Sequence, residues 1–260
     1  MRSLLLCLAL TIGAQAAEKI PPPFPTESVS VAAAANLVYA LDALNAAFRA
    51  AEPGVTVTTA IASSGNLVAQ INNGAPFDVF LSADLDYPQA LIAAGRAEAA
   101  SLTPFAAGRL VLWTTRPGLD LPSLAATLRN PAVRKIAIAS PRTAPYGRAA
   151  EEAMKKLGLW TDAQSKLVTG ENISQTAQFV ATGNADVGFV ALSLVLAPKL
   201  AERGRWLEVP ANLYAPITQG AVLTTRGAAN PAAVRYLAFL RTPAARKVLE
   251  RFGYGVPASP

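Results

Sequence analysis

Four short stretches combine small residues with hydroxyl or amide side chains, each where a strand pattern gives way to a helix pattern. They are Ala32-Ala33-Ala34-Ala35-Asn36-Leu37, Ala62-Ser63-Ser64-Gly65-Asn66-Leu67, Ser140-Pro141-Arg142-Thr143-Ala144-Pro145-Tyr146-Gly147 and Gly170-Glu171-Asn172-Ile173-Ser174. The first turn of a helix carries N–H groups with no acceptor inside the helix. The helix dipole favours negative charge at that end. Small side chains let an anion reach the backbone, and Asn, Ser and Tyr add neutral donors. Ordinary helix capping explains any one stretch taken alone. Four together, two in each half of the fold, point to an oxyanion surrounded from both sides.

What the chain lacks narrows the chemistry further. It has no His, and its one Cys is Cys7, inside an N-terminal segment that reads as a cleaved signal. The mature chain then has no disulfide and no thiolate or imidazole to act as nucleophile, base or metal ligand. A Ser-His-Asp triad is excluded. An exported enzyme would have to pair Ser64 with a Lys, or use two carboxylates, and no motif places a Lys near Ser64. Asp78 and Asp84 bracket a short strand and are expected in turn and helix-cap bonds. Glu171 is expected at the surface or at a helix start, and Arg142 and Arg148, beside Tyr146, at the surface. Trp113, Trp160 and Trp206 are expected in cores or between packed lobes. The net charge of +6 is spread over scattered pairs such as Lys155/Lys156 and Arg246/Lys247. That spread suits solvated helix faces and a mild attraction for anions rather than a nucleic-acid surface.

The elements that must hold these stretches alternate along the chain. With 260 residues, 52% apolar and 15% charged, the sequence can bury a core in each of two lobes. Residues 1–16 have the basic start, apolar stretch and Ala14-Gln15-Ala16 pattern of a secretory signal. A Pro-rich linker, 17–28, follows. Strands are predicted at 29–33, 55–59, 77–81, 109–114, 135–139, 186–191, 206–209 and 219–225. Between them lie helices, the clearest led by Leu37, Leu41, Leu44 and Phe48 on one face. Others fall at 67–71, 87–94, 123–128, 147–157, 174–182, 192–200, 231–240 and 243–252. Repeated strand, loop and helix predict an α/β fold with mainly parallel sheets flanked by helices. The pattern divides into lobe I, 29–107 with 216–260, and an inserted lobe II, 108–215. Two hinge crossings join them, and a ligand belongs at such an interface.

Several segments resemble the periplasmic molybdate-binding protein of molybdate ABC importers. Besides the first two stretches, these are Gly74-Ala75-Pro76-Phe77-Asp78-Val79-Phe80-Leu81-Ser82-Ala83-Asp84, Ala144-Pro145-Tyr146-Gly147, Glu171-Asn172-Ile173, Gly188-Phe189-Val190-Ala191 and Arg251-Phe252-Gly253-Tyr254. The resemblance runs from about residue 29 to 256. It implies the two-lobed class II periplasmic binding-protein fold and capture of molybdate, and tungstate with it, without catalysis or cofactor. It further implies that Asn36 and Ser64 bind from lobe I, and Tyr146 and the Ile173 backbone N–H from lobe II. Ala35 and Ser63 support them, and no side chain ligates the metal directly. Some members carry a Tyr where this chain has Ala191 and a small residue where it has Tyr146, so the phenol is expected from the other loop. Many carry Ser where this chain has Asn36. The implied partners are a membrane permease and its ATPase, the implied state a monomer, and the implied location the periplasm.

Molybdate and tungstate are fully deprotonated near neutral pH and suit a site made of donors. Phosphate carries protons and wants an acceptor. Sulfate, which also suits neutral donors, is the nearest rival. Ferric ion, an exported enzyme and a sensing domain without a transporter are more distant ones.

Overall fold

The computed structural model describes residues 27–257. The signal at 1–16 and most of the linker lie outside the described residues. The first strand opens at Glu27, because Glu27 and Ser28 already pair with Val55 and Thr56.

The strands in chain order are β1 (Glu27–Ala34), β2 (Val55–Ala62), β3 (Val79–Ser82), β4 (Thr103–Gly108), β5 (Leu110–Thr114), β6 (Ile136–Ala139), β7 (Leu167–Gly170), β8 (Val187–Ala191), β9 (Arg205–Glu208) and β10 (Ile217–Leu223). The helices are α1 (Val38–Ala51), α2 (Ser64–Asn72), α3 (Asp86–Ala93), α4 (Leu124–Arg129), α5 (Pro145–Lys156), α6 (Trp160–Ala163), α7 (Ile173–Ala181), α8 (Leu192–Val195), α9 (Thr225–Ala228), α10 (Pro231–Phe239) and α11 (Pro243–Arg251). A single 3-10 turn, Ala35–Leu37, leads into α1.

Two five-stranded sheets form the lobes, in the orders β2-β1-β3-β10-β4 and β7-β6-β8-β5-β9. Each is less parallel than the alternating pattern predicts. Three neighbours run parallel in each sheet, and the other two strands pair antiparallel. The reason is the double crossing between lobes. The chain leaves the first sheet by β4 and returns by β10, so these two lie side by side in opposite directions. The second sheet admits the chain by β5 and releases it by β9, with the same result.

The central strands are covered on both faces, which is why they read as continuous apolar runs. All four residues of β6 and of β3 are buried. The predicted stripe Leu37, Leu41, Leu44 and Phe48 is buried under the first sheet, where Phe48 meets Tyr236 and Phe239 edge to face. The helix predicted at 192–200 stops at Val195. Pro198 supplies no N–H and disfavours helical angles at the residue before it. The segment beyond leans on the first lobe, where Ala197 joins its core. Trp113 is fully buried and its indole N–H donates to the Arg203 carbonyl at 2.8 Å. Trp206 is not core as predicted: it is 42% exposed on β9, an edge strand. Among the described residues no helix is long and apolar enough to cross a membrane.

Candidate functional site

The four donor-rich stretches all fall at strand-to-helix junctions. Asn36, Ser64, Tyr146 and Ile173 are each no more than 3% exposed. The lobes pack together here, since Ala34, Ala35 and Ala83 of the first share one apolar cluster with Ala144, Tyr146 and Ile173 of the second.

In the first lobe the donors are built into a hydrogen-bonded frame. Asn36 Nδ2 donates to Gln219 Oε1 and to Tyr254 Oη, both at 2.8 Å. The Asn36 carbonyl accepts from Tyr254 Oη at 2.9 Å and from Ser193 Oγ, on α8, at 2.8 Å. Both amide hydrogens of Asn36 are therefore spent, and its buried Oδ1 has no partner. At the next junction Ser63 has the extended backbone of a helix cap but makes no side-chain cap bond, and its buried Oγ has no partner. Ser64 Oγ accepts from the Ala83 N–H at 3.1 Å. That bond occupies a lone pair and leaves the hydroxyl proton to give.

The second lobe is organised differently. Ala144 offers α5 no side-chain cap, and Pro145 fills the first turn without an N–H. Gly147 lets this turn sit against β6, where a Cβ would lie 2.2 Å from the Ala139 carbonyl oxygen. Tyr146 is thereby driven inward, and its buried Oη has no partner. Burial holds this phenol well above its ordinary range, with the nearby Tyr254 and Tyr214 adding to the shift, so it stays a neutral donor. At α7, Asn172 Oδ1 accepts from the N–H groups of Ser174 and Gln175, both at 3.0 Å. The Ile173 N–H, first of the helix, stands outside that cap. Ala191 is buried at the end of β8.

Backbone and side-chain bonds also cross between lobes. The Gly65 N–H donates to the Thr143 carbonyl at 2.9 Å, and Tyr87 Oη donates to the Arg142 carbonyl at 3.2 Å. The Arg142 side chain is exposed, and Glu171 is exposed as well. Arg148 is not simply solvated: it pairs with Asp84, approaches Asp86 at 3.5 Å and lies over the Tyr87 ring. Asp84 also accepts from Ser82 Oγ and the Tyr87 N–H. Burial raises its carboxyl above the usual range, against the opposing pull of the Tyr87 N–H and Arg148. Asp78 accepts from the Ser30 N–H and from Arg226 Nε. Both aspartates thus serve the architecture.

Three polar residues around Asn36 escaped the sequence analysis: Gln219, Tyr254 and Ser193. Gln219 and Ser193 give no local signal. Tyr254 stands in a segment noted for its resemblance, without a role attached to it.

A family model described as bacterial extracellular solute-binding protein matches residues 29–255. A molybdate-binding protein of Azotobacter vinelandii is 42% identical over 247 residues, covering 95% of this chain and 93% of the relative. One from Rhodobacter capsulatus is 44% identical over 232 residues, covering 89% and 90%. Among solved structures, the Azotobacter vinelandii periplasmic molybdate-binding protein has a TM-score of 0.83 at 35% identity, covering 88% of this chain and 100% of that one. The chain belongs to the family of bacterial extracellular solute-binding proteins that includes these molybdate-binding relatives.

Proposed function

We propose that this protein captures molybdate, and tungstate with it, between its two lobes and performs no chemistry on the anion. The lobes are taken as 29–107 with 216–260, and 108–215. The proposed ligand contacts are Asn36 and Ser64 on one side and Tyr146 and the Ile173 N–H on the other, with Ala35 and Ser63 supporting them. One observation carries the reading: buried donors at the meeting of the lobes have no acceptor of their own. The phenol of Tyr146 is without a partner, and Ser64 has its lone pair engaged and its proton free. An unmade bond of this kind costs about 1–3 kcal/mol per group, and a fully deprotonated oxyanion would satisfy several at once. Asp84, next to Ala83 in the chain, is already spent on Ser82, Tyr87 and Arg148. A protonated anion such as hydrogen phosphate would find no free carboxylate there. Turning the Asn36 amide over would put an N–H where Oδ1 now stands unpartnered, at the cost of its bonds to Gln219 Oε1 and Tyr254 Oη.

Binding of this type suits delivery to a membrane permease driven by an ATPase, from a monomer exported to the periplasm by a cleaved signal. Closure follows from ligand contacts that both lobes supply only when together. Titration calorimetry with molybdate and with tungstate is the test. Saturable binding that a large excess of sulfate fails to displace is expected. Absence of saturable binding with either anion would sink the proposal, and full displacement by sulfate would move it to that ligand.

A further inference from the structure

Gly108 ends β4, the strand by which the chain leaves the first lobe, and pairs with Ile217, where it has just returned. Its backbone is not in the left-handed region, so its own conformation does not require glycine. The requirement comes from across the lobes. A Cβ at Gly108 would lie 2.1 Å from Tyr146 Oη, 3.0 Å from Tyr146 Cζ and 3.0 Å from Gln219 Nε2. Comfortable carbon contacts are about 3.5–4.0 Å. The phenol of the second lobe thus rests on a bare Cα at the crossing between lobes, beside the amide that holds Asn36.

We propose that Gly108 is a positioning residue for ligand capture. The missing side chain admits the Tyr146 hydroxyl to its place and sets how far the lobes can close. The inference rests on Tyr146 being a ligand donor. Gly65 offers an internal control. It also lies against the opposite lobe, and the three atoms nearest a Cβ there would be Tyr87 Oη at 2.7 Å, Thr143 Cα at 3.0 Å and the Thr143 carbonyl oxygen at 3.1 Å, none of them from Tyr146.

The test is a double-substitution cycle with Gly108→Ala and Tyr146→Phe, repeated with Gly65→Ala in place of Gly108→Ala. Molybdate affinity is read by calorimetry, and the radius of gyration with and without molybdate by small-angle scattering. Gly108→Ala alone is expected to weaken binding about tenfold or more and to leave the loaded protein more expanded. In the Tyr146→Phe background its added penalty should shrink to about threefold or less. The penalty of Gly65→Ala should be equal in both backgrounds. Wild-type affinity in Gly108→Ala, or an equal penalty with and without the hydroxyl, overturns the proposal. If Gly108→Ala does not fold, recovery in the double variant supports it and failure of both overturns it. If the wild type binds no molybdate, the ligand reading falls. The radii of the unliganded proteins then decide separately: non-additive radii support the role of Gly108, and additive radii overturn it.

Discussion

The two lobes share a strand plan, three parallel neighbours followed by two antiparallel ones, yet they prepare their donors in opposite ways. In the first, Asn36 is gripped by Gln219 and Tyr254, and Ser64 by the Ala83 N–H. In the second, the Tyr146 hydroxyl has no partner, and the Ile173 N–H is left out of a cap that serves its neighbours. The first lobe places Asn36 and Ser64 mainly through bonds of its own, with Ser193 of the second lobe adding one to the Asn36 carbonyl. The second places its own through packing, around Gly147 and the apolar core under α5. A donor held by bonds is costly to remove from the fold. A donor held by packing can be removed at little cost to the fold and felt only in binding.

That contrast is open to attack by substitution. Asn36→Ala should do the most damage, because Gln219 Oε1 would be left buried without its donor and Tyr254 Oη would keep only its bond to the carbonyl of residue 36. We expect about 2–4 kcal/mol of lost stability as well as loss of binding, measured by thermal melting and calorimetry. Stability equal to wild type would mean the frame around Asn36 does not hold the lobe. Ser64→Ala and Tyr146→Phe sharpen the comparison directly. Each should weaken molybdate binding by about 1–3 kcal/mol. Ser64→Ala should also lower the melting temperature, since the Ala83 N–H loses its acceptor, whereas Tyr146→Phe should leave it unchanged or higher. Equal melting shifts would erase the distinction between lobes.

Ile173→Pro isolates a backbone donor. Proline is accepted in the first helical turn, and Asn172 already has the extended angles that precede proline, φ −149° and ψ 172°. The variant should stay folded and lose about 1.5–3 kcal/mol of binding, the worth of a bond to a charged group. Undiminished affinity would remove Ile173 from the site. The smallest effect belongs to Arg148→Met. Its ion pair with Asp84 crosses between lobes but is partly exposed, so about 0–1 kcal/mol is expected. It should show as faster release of molybdate in stopped-flow measurements, with little change in capture.

Much of the fold was written locally. The stripe of α1, the apolar run of β3 and the Pro-led starts of α10 and α11 can each be read within a dozen residues. Strand β4 was not, because Thr103-Pro104-Phe105-Ala106-Ala107-Gly108 has neither alternation nor β-branched density, and it is ordered by pairing with β10. Strand β7 is four residues long and only partly buried, too weak a pattern to stand out. The antiparallel half of each sheet depends on where the chain crosses, which no window reveals. The same holds around the site. The donor-rich junctions carry a local signature, but the partners of Asn36 lie 183 and 218 positions away.

That last separation bears on how the protein is made. Asn36 emerges early in synthesis, whereas Tyr254, which holds both its amide and its carbonyl, emerges 218 residues later. An unfinished or clipped chain that ends before Tyr254 lacks the bonds that fix Asn36. Completion of the binding frame thus waits on synthesis of the far end of the chain, and a partly emerged polypeptide would have no finished site with which to sequester an anion.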